Sequence, residues 1–315
     1  MAHSSLSAEA LHNEYAAFEW VEAHLWPNGP ICPHCGNTDA ARIGRLQGKS
    51  ARAGLRKCYA CRKPFTVRIG TIFEDSHLAL HLWLQAIYMM CSSKKGISTR
   101  QLQRTLGCGM KTAWHLGHRI RLAMDDSGSG QIGGGGKTVE ADETFFSQGM
   151  GREKAPGYQH KIKVLSLVER GGNTRSMRID NANAHEIQSA IKRHVHKDSR
   201  VVTDGAQYYK GVMMHVAGHE SVDHSKGEYV RGDVHTNTLE GFFSVFKRGL
   251  VGIYQHIEEQ HVDRYLAEFD FRQNTRAKLG INDTMRAEIA LKGAKGKRLT
   301  YRTVSEPEPT DEIPF

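Results

Sequence analysis

The chain has 315 residues, 39% of them hydrophobic, with 43 Lys and Arg against 34 Asp and Glu, a net charge of +9 and a pI near 9.2. That length supports a substantial core and more than one domain, and the basic balance suits a polyanionic partner. No apolar run approaches the roughly 20 residues that cross a bilayer, and the opening MAHSSLSAEA lacks the basic and apolar segments of a signal peptide, so a soluble cytoplasmic protein without a membrane partner is expected.

The first chemical signal along the chain is a pair of C-x2-C motifs, Cys32-Pro-His-Cys35 and Cys58-Tyr-Ala-Cys61, with 22 residues between them. Each pair puts two thiolates on one tight turn, and two such turns complete a tetrahedron around a single structural Zn²⁺. A ribbon of short strands too small to bury its own core is then held by the metal. Two disulfides or a redox-active pair are the alternative, which a reducing cytosol disfavours. His34 lies inside the first turn as a spare ligand, whereas Cys91 and Cys108 fall in helical patterns and read as small buried apolar residues.

Residues 75–124 read as helices, with Leu78, Leu82, Ala86 and Met90 on one face and Leu116, Ile120 and Ala123 on another. Within them, Ser98 or Thr99 caps a short helix, Gly107 to Gly109 make a turn, and a second helix follows, which is the pattern of a helix-turn-helix. Lys111, Thr112, His115, His118 and Arg119 are expected on the exposed, DNA-facing side of that second helix. An ordinary helical hairpin with a solvated basic face is the alternative. Residues 127–136, SGSGQIGGGG, have the composition of a flexible linker.

Beyond the linker, strands are expected at 137–146, 161–169, 175–179, 199–204 and near 215–222, with a helix at 184–194. Together they make a mixed α/β sheet. Helices at 237–248 and 261–276 follow, and the acidic, proline-bearing end is expected to be loose. Three acids stand out: Asp142 in VEADETFF, Asp204 in VVTDGAQYYKG, and Glu240 in HTNTLEGFFSVFKRGL, with 35 residues between the last two and Lys247 seven positions further on. Carboxylates gathered from such distant points repel unless a divalent cation neutralises them, so the spacing points to metal-dependent phosphoryl transfer. Lys247 and Arg248 are expected to contact DNA phosphates. Glu143 adjoins Asp142 but points to the other face of a continuing strand.

These segments together resemble one family, the zinc-ribbon-bearing ISXO-type bacterial insertion-sequence transposases. The resemblance rests on CPHCG, CYACRKPFTVRIGTIFEDSHL, VEADET, the Thr203-Asp204-Gly205 triplet, HSKGEYVR, HTNTLEGFFSVFKRGLVG and RYLAEFDFRQN, in that order over 20–276. It implies an RNase H-like catalytic domain of the DDE type that cuts element ends and joins their 3′ hydroxyls to target DNA with Mg²⁺ or Mn²⁺, two ions per site. On this sequence Asp142 and Asp204 match the first two metal-binding acids. Members of the family are often described with Asn in third place, and Asn237 and Glu240, three apart on a helix, share one side. Glu240 is the expected ligand because a carboxylate binds a hard cation better than an amide, with Asn237 auxiliary. The expected organisation is an N-terminal helix and zinc ribbon over 1–73, a helix-turn-helix-like segment over 74–126, the linker, the RNase H-like domain over 137–298 and a flexible tail over 299–315. The expected partners are the double-stranded terminal repeats, target DNA and a second copy of the chain. The competing readings are a DNA-binding regulator without catalysis and another RNase H-like nuclease.

Overall fold

The computed structural model describes residues 5–48, 51–126, 130–147 and 161–300. Helix α1 (Glu14–Leu25) starts where the Asn13 side chain accepts the amides of Tyr15 and Ala16, the usual cure for unpaired N–H groups at a helix start. Strands β1 (Ile43–Arg45), β2 (Arg56–Cys58) and β3 (Pro64–Phe65) form an antiparallel ribbon. Glu22 of α1, buried, accepts both Arg56 (2.6 Å) and Arg45 (3.2 Å) and so ties helix to ribbon.

Helices α2 (Leu80–Ser92), α3 (Thr99–Leu106) and α4 (Met110–Met124) follow. Ser98 caps α3 by accepting Gln101 N–H, and Gly107 ends it in the left-handed conformation, so the helix, glycine turn and helix expected from the sequence are all present. The faces differ in detail. Leu80, Trp83, Leu84, Ile87, Met90 and Cys91 are the buried side of α2, and Leu78 and Leu82 are only partly covered.

The second unit is a five-stranded sheet of β4 (Thr138–Phe146), β5 (Ile162–Glu169), β6 (Thr174–Ile179), β7 (Arg200–Asp204) and β8 (Gly218–Val222), in the order β6-β5-β4-β7-β8. The first three pair antiparallel, and β7 and β8 run parallel to β4. Helix α5 (Ala184–His194) lays Ile187 and Ile191 over Val139, Ala141, Leu165 and Leu167 on one face. Helices α6 (Asn237–Gly249) and α7 (Val262–Asn274) cover Ile162, Val164 and Val168 on the other with Phe242, Phe246, Leu266 and Phe269. This is the RNase H-like arrangement that the sequence resemblance implied.

Two expectations about organisation are not met. The glycine segment is docked rather than free: Ile132 is buried, donates to His194 O and accepts from His196 N–H, bridging to Val195. Gly133, at φ +91°, passes so close to Ser199 that a Cβ would lie 2.2 Å from its Oγ, which only glycine tolerates. Residues 127–129 of that segment lie outside the described residues. Nor is the helical segment closed on itself. An unforeseen helix, α8 (Asp283–Lys292), inserts Ala287, Ala290 and Leu291 into the same core as α1, α2, α3 and α4. Of the expected tail, 301–315 lie outside the described residues, and Leu299 is tied by its carbonyl to Arg119.

Candidate active site and metal centres

The parallel pairing of β4 with β7 aligns Ala141 with Thr203, so the next positions, Asp142 and Asp204, stand side by side on neighbouring strands. Side chains alternate between faces. Asp142 pairs with Ser166 of β5, whose even-numbered neighbours Val164 and Val168 lie under α6 and α7, so both acids face the helix that carries Glu240. Asp204 ends its strand and accepts Ala206 N–H. Asp142 lies within β4 rather than at its end, because pairing with β5 continues to Phe146.

Burial, followed by the charges of Glu143, Asp204 and Glu240, pushes the Asp142 carboxyl up to about 7. The acids therefore sit near enough to oppose one another's ionisation, which a cation among them would relieve. Asn237 and Glu240 are exposed on the first turn of α6. Lys247 and Arg248 are exposed further along the same helix, and Arg248 donates to Ser244 O.

Glu143 faces the other side of the sheet, as expected, but it is not idle. Burial raises it to about 7, and Tyr208 Oη (2.8 Å) and buried Tyr209 Oη (2.5 Å) donate to its two oxygens. The sequence places Glu143 on that other face but gives no sign of its two tyrosine partners, although Tyr208 and Tyr209 follow Asp204 within GAQYYKG. The sequence reading passed over Glu140, which shares the face of Asp142 by strand alternation and is wholly buried.

In the ribbon, the thiols of Cys32, Cys35, Cys58 and Cys61 all lie within 4.8 Å of one another. Cys32 Sγ is 3.7 Å from Cys61 Sγ, and Cys35 Sγ is 3.8 Å from Cys58 Sγ. Four sulfurs at about 2.3 Å from a central ion form a tetrahedron with edges of about 3.8 Å, so the donor set fits Zn²⁺. Backbone N–H groups, that of Cys61 first, lower the Cys58 thiol to about 6. Asn37 Nδ2 donates to its sulfur. His34 is directed elsewhere, with Nε2 3.3 Å from Pro64 O. Cys91 is buried in the helical core, its thiol raised to about 12 by that burial, and Cys108 packs at the core's margin.

On α4 the expected basic face is only partly there. Lys111 and Thr112 are exposed and His115 is half-buried, but His118 is 0% and Arg119 6% exposed. Arg119 Nη1 donates to Ile72 O (2.9 Å) and Glu74 O (2.7 Å), and Nε to Leu299 O (3.0 Å). Its guanidinium knits three segments together and is not presented to DNA. His118 packs among Trp114, His261 and Tyr265. Desolvation there pushes its ionisation down to about 2.

Residues 132–274 match the ISXO2-like transposase domain, and residues 12–64 match the transposase zinc-ribbon domain. The chain is 29% identical over 269 residues to an uncharacterized protein in transposable element ISH50 of Halobacterium salinarum, covering 81% of this chain and 89% of that protein. Among solved structures it is distantly similar to the Mos1 strand transfer complex, with 12% identity and a TM-score of 0.25 over 67% of this chain and 73% of that one. A mariner Mos1 paired end complex with Mg gives 12% identity and 0.24 over 69% and 79%. These two likenesses are too slight to carry an argument. No helix among the described residues is long and apolar enough to cross a membrane. The two family matches lie ribbon first and transposase domain second, in the order that the sequence resemblance implied.

Proposed function

We propose that the protein binds the ends of an insertion element, cleaves at their 3′ ends and joins them to target DNA by metal-dependent transesterification. The observation that carries this reading is the alignment of Asp142 with Asp204 on the sheet face under α6, with an Asp142 carboxyl raised by burial and then by the acids around it. Asp142, Asp204 and Glu240 are the proposed ligands of two Mg²⁺ or Mn²⁺ ions, with Asn237 auxiliary. Divalent ions held by these residues would supply a nucleophile at neutral pH and would stabilise the leaving oxygen of an in-line displacement. Lys247, along α6 from Glu240, holds a phosphate of the element end, with Arg248 beside it. Lys111, Thr112 and the edge of His115 meet duplex DNA from the helical unit. Arg119, spent on backbone carbonyls, is withdrawn from that set. Cys32, Cys35, Cys58 and Cys61 hold one structural Zn²⁺. The protein acts in the cytoplasm as a dimer or larger assembly on DNA.

A strand-transfer assay on the element's terminal repeats with Mg²⁺ or Mn²⁺ tests the reading. Asp142→Asn, Asp204→Asn and Glu240→Gln are each expected to lower cleavage by roughly 10²-fold or more while end binding persists. If Glu240→Gln stays active and Asn237→Ala does not, the third ligand is Asn237. If all three acid variants cleave as the wild type does, the metal site lies elsewhere.

A further inference from the structure

We infer that Glu140 and Arg170 are positioning residues for the acid site, holding the helix that carries Glu240 against the strand that carries Asp142. The inference rests on the three-acid reading given above. Glu140 stands two residues before Asp142 on β4, on the same face, and is 0% exposed. Its Oε2 accepts Leu239 N–H at 3.0 Å, and its Oε1 accepts Thr238 Oγ1 at 2.9 Å and Arg170 Nε at 2.7 Å. Leu239 immediately precedes Glu240 in the first turn of α6.

The helix start needs this help. The residue at the cap position, Thr236, makes no side-chain cap bond among the described residues, and its hydroxyl is buried without a hydrogen-bond partner. The first-turn N–H that a cap side chain would take is taken instead by a carboxylate from a strand. Arg170, just past β5, completes the clamp from the other side. Its Nη1 donates to Asp233 O (2.8 Å) and its Nη2 to His235 O (2.8 Å), with His235 Nδ1 at 3.2 Å. The loop leading into α6 is thereby fixed to the same buried pair.

A buried ion pair adds little net stability over apolar packing, so stability alone gives weak reason for a charged clamp here. Its geometry gives a better one. Asp142 comes from β4 and Glu240 from α6, and the Glu140 contacts join those two elements directly. Divalent ions tolerate little misplacement of their carboxylates, and groups that orient metal ligands typically change metal affinity by roughly 10–100-fold when removed.

The test is Mn²⁺ binding to the full zinc-loaded chain, read from the free-ion EPR signal, for the wild type, Asp142→Asn, Glu140→Gln and Thr238→Val. Glu140→Gln sets an amide N–H against one of the donors around it and is expected to raise the Mn²⁺ half-saturation by roughly 10-fold or more. Thr238→Val deletes one bond of the clamp and is expected to raise it a few-fold, about the effect of one lost hydrogen bond. Both variants are to keep wild-type circular dichroism. A loss of packing remote from the metal would not move the Mn²⁺ curve. Wild-type Mn²⁺ binding in folded Glu140→Gln overturns the inference, and if that variant does not fold, wild-type binding in Thr238→Val does so. Equal binding by wild type and Asp142→Asn is a different failure, since it removes the acid site itself.

Discussion

Glu268 of α7 is 0% exposed and sits between the two structural units. Arg121 of α4 donates Nε to it at 2.6 Å, Arg272 donates Nη2, and Tyr254 donates its hydroxyl at 2.7 Å. Arg272 also reaches Met90 O of α2, and the Arg121 guanidinium lies 4.1 Å from the Tyr265 ring centroid. Burial would raise the Glu268 carboxyl, but Arg121 and then Arg272 more than offset it and hold the group below its ordinary 4.5. Glu268→Gln removes the charge and turns an amide donor toward groups that are all donors, leaving two buried guanidiniums without their counter-ion. Breaking one partner of a buried pair costs about 3–5 kcal/mol. At roughly 2–4 °C per kcal/mol for a chain of this size, the melting temperature should fall by about 10 °C. A depressed acid contributes stability above its unfolded value and loses it as pH falls below. The gap between wild type and variant, measured by denaturant unfolding, should therefore be widest near pH 7 and narrow below about pH 4.5. Adding Arg121→Met and Arg272→Met should recover much of the loss. A cost for Glu268→Gln below about 1 kcal/mol, or a gap independent of pH, would refute this account of what joins the units.

Three further outcomes are expected. Cys58→Ser should release the zinc and unfold the ribbon, because ligation supplies its folding energy; metal analysis showing full zinc content in that variant would contradict it. Leu291→Ala, at a 0% exposed position of α8, should cost about 2–5 kcal/mol, and hydrogen exchange should show the loss in α2 and α4 rather than in the sheet. Without metal, stability should decline as pH rises from about 4 to about 7. Asp142, Glu143 and Asp270 are each raised to about 7 mainly by burial, so the native state holds protons that the unfolded chain releases. Asp142→Asn should flatten that decline, by up to about 4 kcal/mol at pH 7.5 before allowance for solvent relaxation, and a slope unchanged by the variant would count against the raised carboxyl.

What the sequence disclosed follows from how local each signal is. The span expected for α5 coincides with the observed helix and the strands fall within a few residues of expectation, since their periodicity is carried by the residues themselves. The cysteine pairs were legible because two short turns need no distant partner. Arg119 and His118 were misplaced because a charged residue is normally solvated, and only the fold brings the carbonyls of Ile72 and Glu74 to Arg119. The glycine segment looks featureless until Ile132 finds the backbone of His194 and His196. Helix α8 has a weak apolar face of Ala287, Ala290 and Leu291, and its partners lie some two hundred positions earlier in the chain. Glu140 reads as one more acid in VEADET until α6 is seen to lack a cap of its own.

The contribution of α8 to the core of α1, α2, α3 and α4 has a consequence for synthesis. A chain emerging from the ribosome makes its ribbon and first helices early, but their packing stays unfinished until residues near 290 appear. Partial translation products and frameshifted copies that stop short of α8 would thus lack a finished helical unit. Such products would leave open to water the apolar faces of α2 and α4 that α8 covers, so the order of the chain makes fragments liable to misfold rather than to persist as a helical unit.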